Sequence, residues 1–240
     1  MKRTKQAFHR QFLSMTVIAA IASLSACEKH EEPKTAASSS ATASAVAATT
    51  TAAKPAVKTY DGPFGLAMGI SDKEIHEIFG FTNTAEATHV YTGTPPKLGP
   101  GFTKYYVIAT PVAGVCRIRA IKVINSVNDR GDQLKEEADN LASLMEEKYG
   151  KPSGKYNSIA NDIYRRNPQY WMLGLKEKSV VYGYDWEKGK NTAALPNNID
   201  SIDITVTGYS LDSGSVGVTY DMTNFKECEK EYKKAKASNL

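Results

Sequence analysis

The stretch IDSIDITVTGYSLDSGSVGVTYDM, residues 199–222, decides the fold class of this 240-residue chain. In its first half Ile202, Ile204 and Val206 alternate with polar residues, which is the period of a strand with one buried face. Residues 211–214, Leu-Asp-Ser-Gly, are typical of a tight turn, and a second strand pattern covers residues 215–222. The stretch therefore predicts an antiparallel hairpin.

Further strand patterns lie upstream of this hairpin. Strands are predicted over residues 87–93, 103–110, 114–124 and 180–187, with turns rich in Pro and Gly between the first three. In the strand at 114–124, Arg117 and Arg119 alternate with Cys116, Ile118 and Ala120. This alternation predicts a half-buried antiparallel strand.

Four helices are predicted around these strands. Ser71 and Glu74 form a capping box, and Gly80 is the expected end of that first helix. Residues 132–149 give the clearest helical pattern, with Asp132 as its expected N-cap. A short helix is expected over 168–175, and the last is expected to begin at Asn224.

Runs of strands joined by tight turns predict an α+β fold, with a mainly antiparallel sheet covered by helices on one face. All 13 Tyr and both Trp lie in residues 60–240. We therefore expect residues 59–240 to form a single domain.

The N-terminus has the order of parts found in an export signal. Four basic residues precede the apolar stretch Phe12–Ala22, which is too short for the ~20 apolar residues that cross a bilayer. Residues 1–26 are therefore predicted to be a signal peptide.

The four residues Leu24-Ser25-Ala26-Cys27 resemble the lipobox of bacterial lipoproteins. The resemblance implies cleavage before Cys27 and acylation of that cysteine, which would anchor the protein stably in a membrane. Glu28, where an Asp would imply inner-membrane retention, implies an outer-membrane location with the domain in the periplasm. The alternative is an ordinary secreted protein cut near Ala26.

Residues 27–58 are predicted to be a lipid-anchored flexible tether. They are rich in Ala, Ser and Thr and contain no aromatic residue, so they cannot bury enough apolar surface to fold. Residues 28–58 would span roughly 30 Å as a random coil. An Ala-rich helix is the alternative, but Ser and Thr clusters compete for its backbone hydrogen bonds.

The net charge of +4 belongs to the signal peptide. The chain has 30 basic and 26 acidic residues, and residues 1–26 hold four basic and no acidic ones. The remainder is therefore neutral, so no nucleic-acid partner is expected.

Two cysteines remain beside Cys27. Cys116 and Cys228 are expected on buried faces of a strand and a helix, and export would place them in an oxidising compartment. We therefore predict a disulfide between them; two unpaired core cysteines are the alternative.

The aromatic strand at 180–187 is the one candidate binding surface. Tyr182 and Tyr184 share a strand face with Trp186, and such residues form either cores or interaction surfaces. No catalytic or metal motif occurs in the sequence, so we expect no enzyme activity, no cofactor and no metal site.

Residues 65–80 resemble a local element of two groups of envelope proteins. The pattern Gly65-x3-Gly69-Ile70-Ser71-x2-Glu74-Ile75, followed by Phe79-Gly80, is similar to a helix in outer-membrane assembly lipoproteins of the BamE/SmpA type. It is also similar to β-lactamase-inhibitor-like domains. The chain departs from both in domain size and strand pattern, so the resemblance implies no partner-binding residues.

Together these features predict a lipid-anchored, non-enzymatic binding module of the bacterial envelope, with membrane and envelope-protein partners. The alternative is an envelope-anchored inhibitor or immunity protein against a toxin or hydrolase.

Overall fold

The computed structural model describes residues 59–84, 88–190 and 195–237. The predicted signal peptide, the lipidation site at Cys27 and the tether at 27–58 lie outside these residues. All described residues belong to one compact unit. In this part of the chain, no helix is both long and apolar enough to cross a membrane.

Eight antiparallel strands form one sheet in the order β1-β2-β3-β4-β8-β7-β6-β5. The strands are β1 (Thr82–Asn83), β2 (Val90–Thr92), β3 (Lys104–Thr110), β4 (Gly114–Asn125), β5 (Gly154–Ile159), β6 (Val180–Glu187), β7 (Ile199–Gly208) and β8 (Ser213–Met222). The helices are α1 (Asp72–Glu77), α2 (Asp132–Tyr149), α3 (Asp162–Arg166), α4 (Trp171–Lys176) and α5 (Phe225–Ala237). The predicted α+β class with an antiparallel sheet is confirmed.

The sheet consists of two four-stranded meanders that meet at β4 and β8. Nine residue pairs join these central strands, from Arg117 opposite Asp221 to Asn125 opposite Ser213. The hairpin predicted from residues 199–222 supplies β7 and β8, which pair along most of their length.

The hydrophobic core lies between one sheet face and the helices. On β4, β7 and β8, the residues Ile118, Ile202 and Val218 are each at most 1% exposed. Helices α2 and α4 pack against β6 and β7, and α2 also contacts β8. Burial of such side chains contributes about 1.5–3 kcal/mol each.

The structure does not confirm that helices cover one face alone. The ring of Phe225, the first residue of α5, lies 4.0 Å from the guanidinium carbon of Arg117. Since Arg117 alternates with the core residue Ile118, it projects from the opposite face. Helix α5 therefore begins on the side of the sheet away from the core.

One predicted helix cap differs from the structure, and Asn224 directly precedes α5, close to its predicted start. The N-cap of α2 is Gly131 rather than Asp132; its φ is +68°, and a Cβ there would lie 2.0 Å from the Trp171 ring. The side-chain amide of Asn224 donates to the carbonyls of Ala113 and Val115, so it ties α5 to the β3–β4 turn. Ser71 caps α1 as predicted, accepting from the Glu74 N–H at 3.1 Å.

The predicted cysteine pair lies at disulfide distance. The sulfur atoms of Cys116 and Cys228 are 2.08 Å apart and their Cα atoms 6.4 Å. The β3–β4 register shifts at Ile108/Ala109, so Cys116 has no partner residue on β3. This bulge removes Cys116 from the predicted alternation with Ile118 and Ala120, and it contacts α5 as Arg117 does.

Replacing both Cys116 and Cys228 by Ser should lower the free energy of unfolding by about 4 kcal/mol, because the bond closes a loop of 112 residues. Guanidinium denaturation with and without reductant measures this. Reductant should destabilise the wild type and leave the double variant unchanged; an equal shift in both proteins would contradict the prediction.

Candidate functional site

One row of paired residues crosses all eight strands on the face opposite the core. Each member pairs directly with the next, and every one is polar or glycine: Thr82, Thr92, Tyr106, Arg119, Thr219, Asp203, Asp185 and Gly154. We call this set the polar row. The adjacent row holds Val107, Ile118, Tyr220, Ile202 and Trp186, all in the core. The polar row therefore marks a second sheet face that α2 and α4 do not cover.

Arg119 is the central cation of the polar row. Strand pairing places it between Tyr106 on β3 and Thr219 on β8. Its Nε is buried and has no hydrogen-bond partner. Within residues 59–84, 88–190 and 195–237, no group forms an ion pair with the guanidinium.

The surroundings of Arg119 disfavour its charge. Burial lowers the pKa of Arg119, and the neighbouring Arg117 acts in the same direction, while Tyr209 and Tyr106 act against it. A buried N–H donor without an acceptor, such as Nε of Arg119, lowers the stability of a fold. The position of Arg119 therefore needs an explanation other than folding stability.

Arg117, two residues earlier, shows the usual arrangement. Its Nε and Nη2 both donate to the carboxylate of Asp221, with Nη2 at 2.7 Å from Oδ2. Asp221 is 6% exposed, and the Phe225 ring covers the guanidinium. The two arginines share a strand face, but only Arg119 lacks an acceptor.

The other end of the polar row is acidic. Asp185 on β6 pairs directly with Asp203 on β7, and only 4% of Asp185 is exposed. Burial and a hydrogen bond to Asp185 raise the pKa of Tyr156 on β5. The polar row therefore changes from basic at Arg119 to acidic at Asp203 and Asp185, with the uncharged Thr219 between them.

The three predicted binding residues lie in the core instead of on this face. Tyr182, Tyr184 and Trp186 are 5%, 8% and 0% exposed. The hydroxyls of Tyr182 and Tyr184 both donate to Oδ1 of Asp139 on α2, at 2.7 and 2.5 Å. Trp186 Nε1 donates to the carbonyl of Gly150 at 2.8 Å. Their burial favours core packing over a binding surface, because a partner would reach only their edges.

The Asp139 cluster holds its ordinary charges at neutral pH. Burial alone would raise the pKa of Asp139, but the hydrogen bonds from Tyr182 and Tyr184 together lower it. Burial, with the bond to Asp139, raises the pKa of Tyr182 to about 12, and the pKa of Lys155 is also raised, mainly by Tyr184. General acid–base catalysis favours a group that titrates near neutral pH, and these shifts move each of these groups away from it.

Two open grooves flank the end of α1. One, of about 550 Å³, lies between Phe79 and the ends of β2 and β3. The other, of about 450 Å³, lies between Glu77 and Pro96. The first groove has no acidic residue, and the second has one, Glu77. Among the described residues, no group of three or more His, Cys, Asp or Glu could hold a metal ion.

No family model matches the chain, and no curated protein or solved structure matches it either. The resemblance of residues 65–80 to envelope domains therefore stays a prediction. Arg119 was visible in the sequence only as one of two arginines on the polar side of a strand.

A comparison of Arg117→Met with Arg119→Met distinguishes an arginine that stabilises the fold from one that does not. Arg117→Met should lower the free energy of unfolding by about 3 kcal/mol, because it leaves the Asp221 carboxylate buried and unpaired. Arg119→Met should leave it unchanged or raise it by about 1 kcal/mol, because it removes an uncompensated cation. Chemical denaturation measures both; equal destabilisation would contradict the assignment of Arg119.

Proposed function

We propose that this chain is a lipid-anchored bacterial envelope protein whose folded domain is a non-enzymatic binding module. In this proposal residues 1–26 are removed, Cys27 carries the lipid, residues 27–58 are the tether and residues 59–240 form one domain. The domain faces the periplasm from the outer membrane. The lipobox and the basic leader support the anchor, and the Cys116–Cys228 pair favours an oxidising compartment.

The observation that supports a binding role is the unpaired guanidinium of Arg119, which lies on an open sheet face. Protein interfaces are enriched in Arg and Tyr, and this face presents Arg119 beside Tyr106 and Tyr209. Val181 and Tyr209 add exposed apolar surface, at 51% and 48% exposure. We propose that another envelope protein binds here, and the neutral charge of residues 27–240 disfavours nucleic acid.

The anchor is tested by metabolic labelling with a palmitate analogue. The wild type should incorporate label and Cys27→Ala should not, because the lipid is attached through that thiol. The double variant Cys116→Ser, Cys228→Ser is the matched control and should label normally. Label that persists in Cys27→Ala would overturn the anchor.

The binding face is tested by photo-crosslinking in cells. A benzophenone amino acid at Val181 or Tyr209, both on the open face, should give an adduct of one discrete mass. The same residue at Leu144, an exposed position on α2, is the control and should give none. If neither face position yields an adduct, the proposed binding role fails.

A further inference from the structure

The guanidinium of Arg119 lacks an acceptor in a place where one is expected. A guanidinium carries five N–H donors, and a buried donor without an acceptor costs stability. Nε of Arg119 is such a donor, whereas Arg117 on the same strand face donates to both oxygens of Asp221. The group best suited to accept hydrogen bonds from the Arg119 guanidinium is a planar acceptor such as a carboxylate.

Neighbouring residues give this position the features of an anion site. The hydroxyl-bearing residues Tyr106 and Thr219 pair with Arg119 from both sides, and both are half-buried. Gly217 brings no side chain between β8 and the guanidinium: a Cβ there would lie 3.5 Å from both Nε and Nη2 of Arg119. Arg119 is itself half-buried, so its side chain also reaches the surface, next to these two hydroxyl-bearing residues.

The negative charge on the rest of this face favours a protein partner over a polyanion such as a nucleic acid. Asp203 and Asp185 follow Thr219 in the polar row, so they lie about 10 and 14 Å from Arg119 at 4.7–4.9 Å per strand. These carboxylates would repel the successive phosphates of a nucleic acid. A protein surface can instead place a single acidic residue at Arg119 and no further anion near Asp203 and Asp185.

We infer that Arg119, with Tyr106 and Thr219, is the recognition site for an Asp or Glu carboxylate on the partner protein. This inference rests on the proposed function, because it names the chemical group that the open face recognises. The half-buried guanidinium donates to this carboxylate from the surface side, and the carboxylate supplies the acceptor that the described residues lack.

The carboxylate site is first tested without the partner, using sodium acetate as the probe. In the full chain labelled with ¹⁵N, the Arg119 Nε–H resonance should shift saturably with acetate at constant ionic strength. Gly217→Ala keeps every charge but adds a methyl beside Nε and Nη2, so it should weaken that response. A resonance that does not respond to acetate in the wild type overturns the inference.

The same site is then tested in cells by combining substitutions with the crosslinker at Val181. Arg119→Gln should reduce the adduct roughly tenfold or more, as expected for loss of a desolvated charge pair. Lys104→Gln removes the same charge from an exposed position on the same face and should change the adduct by less than about twofold. Thermal unfolding of each variant checks that it remains folded.

The outcomes separate the inference from the proposed function. An adduct that survives in folded Arg119→Gln overturns the carboxylate site but leaves the binding face intact. An adduct that depends on Arg119 and survives Lys104→Gln supports both. If no adduct forms in the wild type, the proposed partner binding fails, and the acetate titration alone decides whether Arg119 is an anion site.

Discussion

Pairing of β4 with β8 is the interaction on which the rest of this structure depends. It joins two meanders that are otherwise separate sheets, and it brings together segments that are far apart in sequence. Two further links hold β4 and β8 together along this pairing, which we call the central seam. The ion pair of Arg117 with Asp221 lies within it, and the Cys116–Cys228 pair fastens β4 to the helix that follows β8. Without this seam neither the core nor the polar row would extend across the sheet.

The register of that seam also determines which residues form the site. Because side chains alternate, one register aligns apolar residues into the core and polar residues into a continuous row. A shift of this pairing by one residue would turn one meander over relative to the other, so that Arg119 and Asp203 would lie on opposite faces of the sheet. The stability of the core and the composition of the candidate binding face therefore depend on the same alignment.

Much of the fold could be predicted from the sequence, because the relevant patterns are local. The limits of α2 and β6 agree with the predictions. Strand β5 was missed, because four of its six residues are exposed and its sequence has no apolar alternation. The Gly131 cap was missed because it depends on the Trp171 ring, a contact distant in sequence.

The candidate site could not be predicted in the same way. Sequence alternation places Arg117 and Arg119 on one strand face but does not distinguish them. Their difference arises because β8 presents Asp221 opposite the first and Thr219 opposite the second. Likewise, the aromatic residues of β6 were expected to be either core or surface, and Asp139 on α2 holds Tyr182 and Tyr184 in the core.

The central seam also determines when the sheet can be completed as the chain emerges. A chain that emerges from its N-terminus completes β4 at Asn125 but does not reach β8 until Ser213. For that interval the full length of β4 is an open strand edge, and such edges promote aggregation. The chain is therefore most prone to aggregate in the interval between the emergence of those two strands.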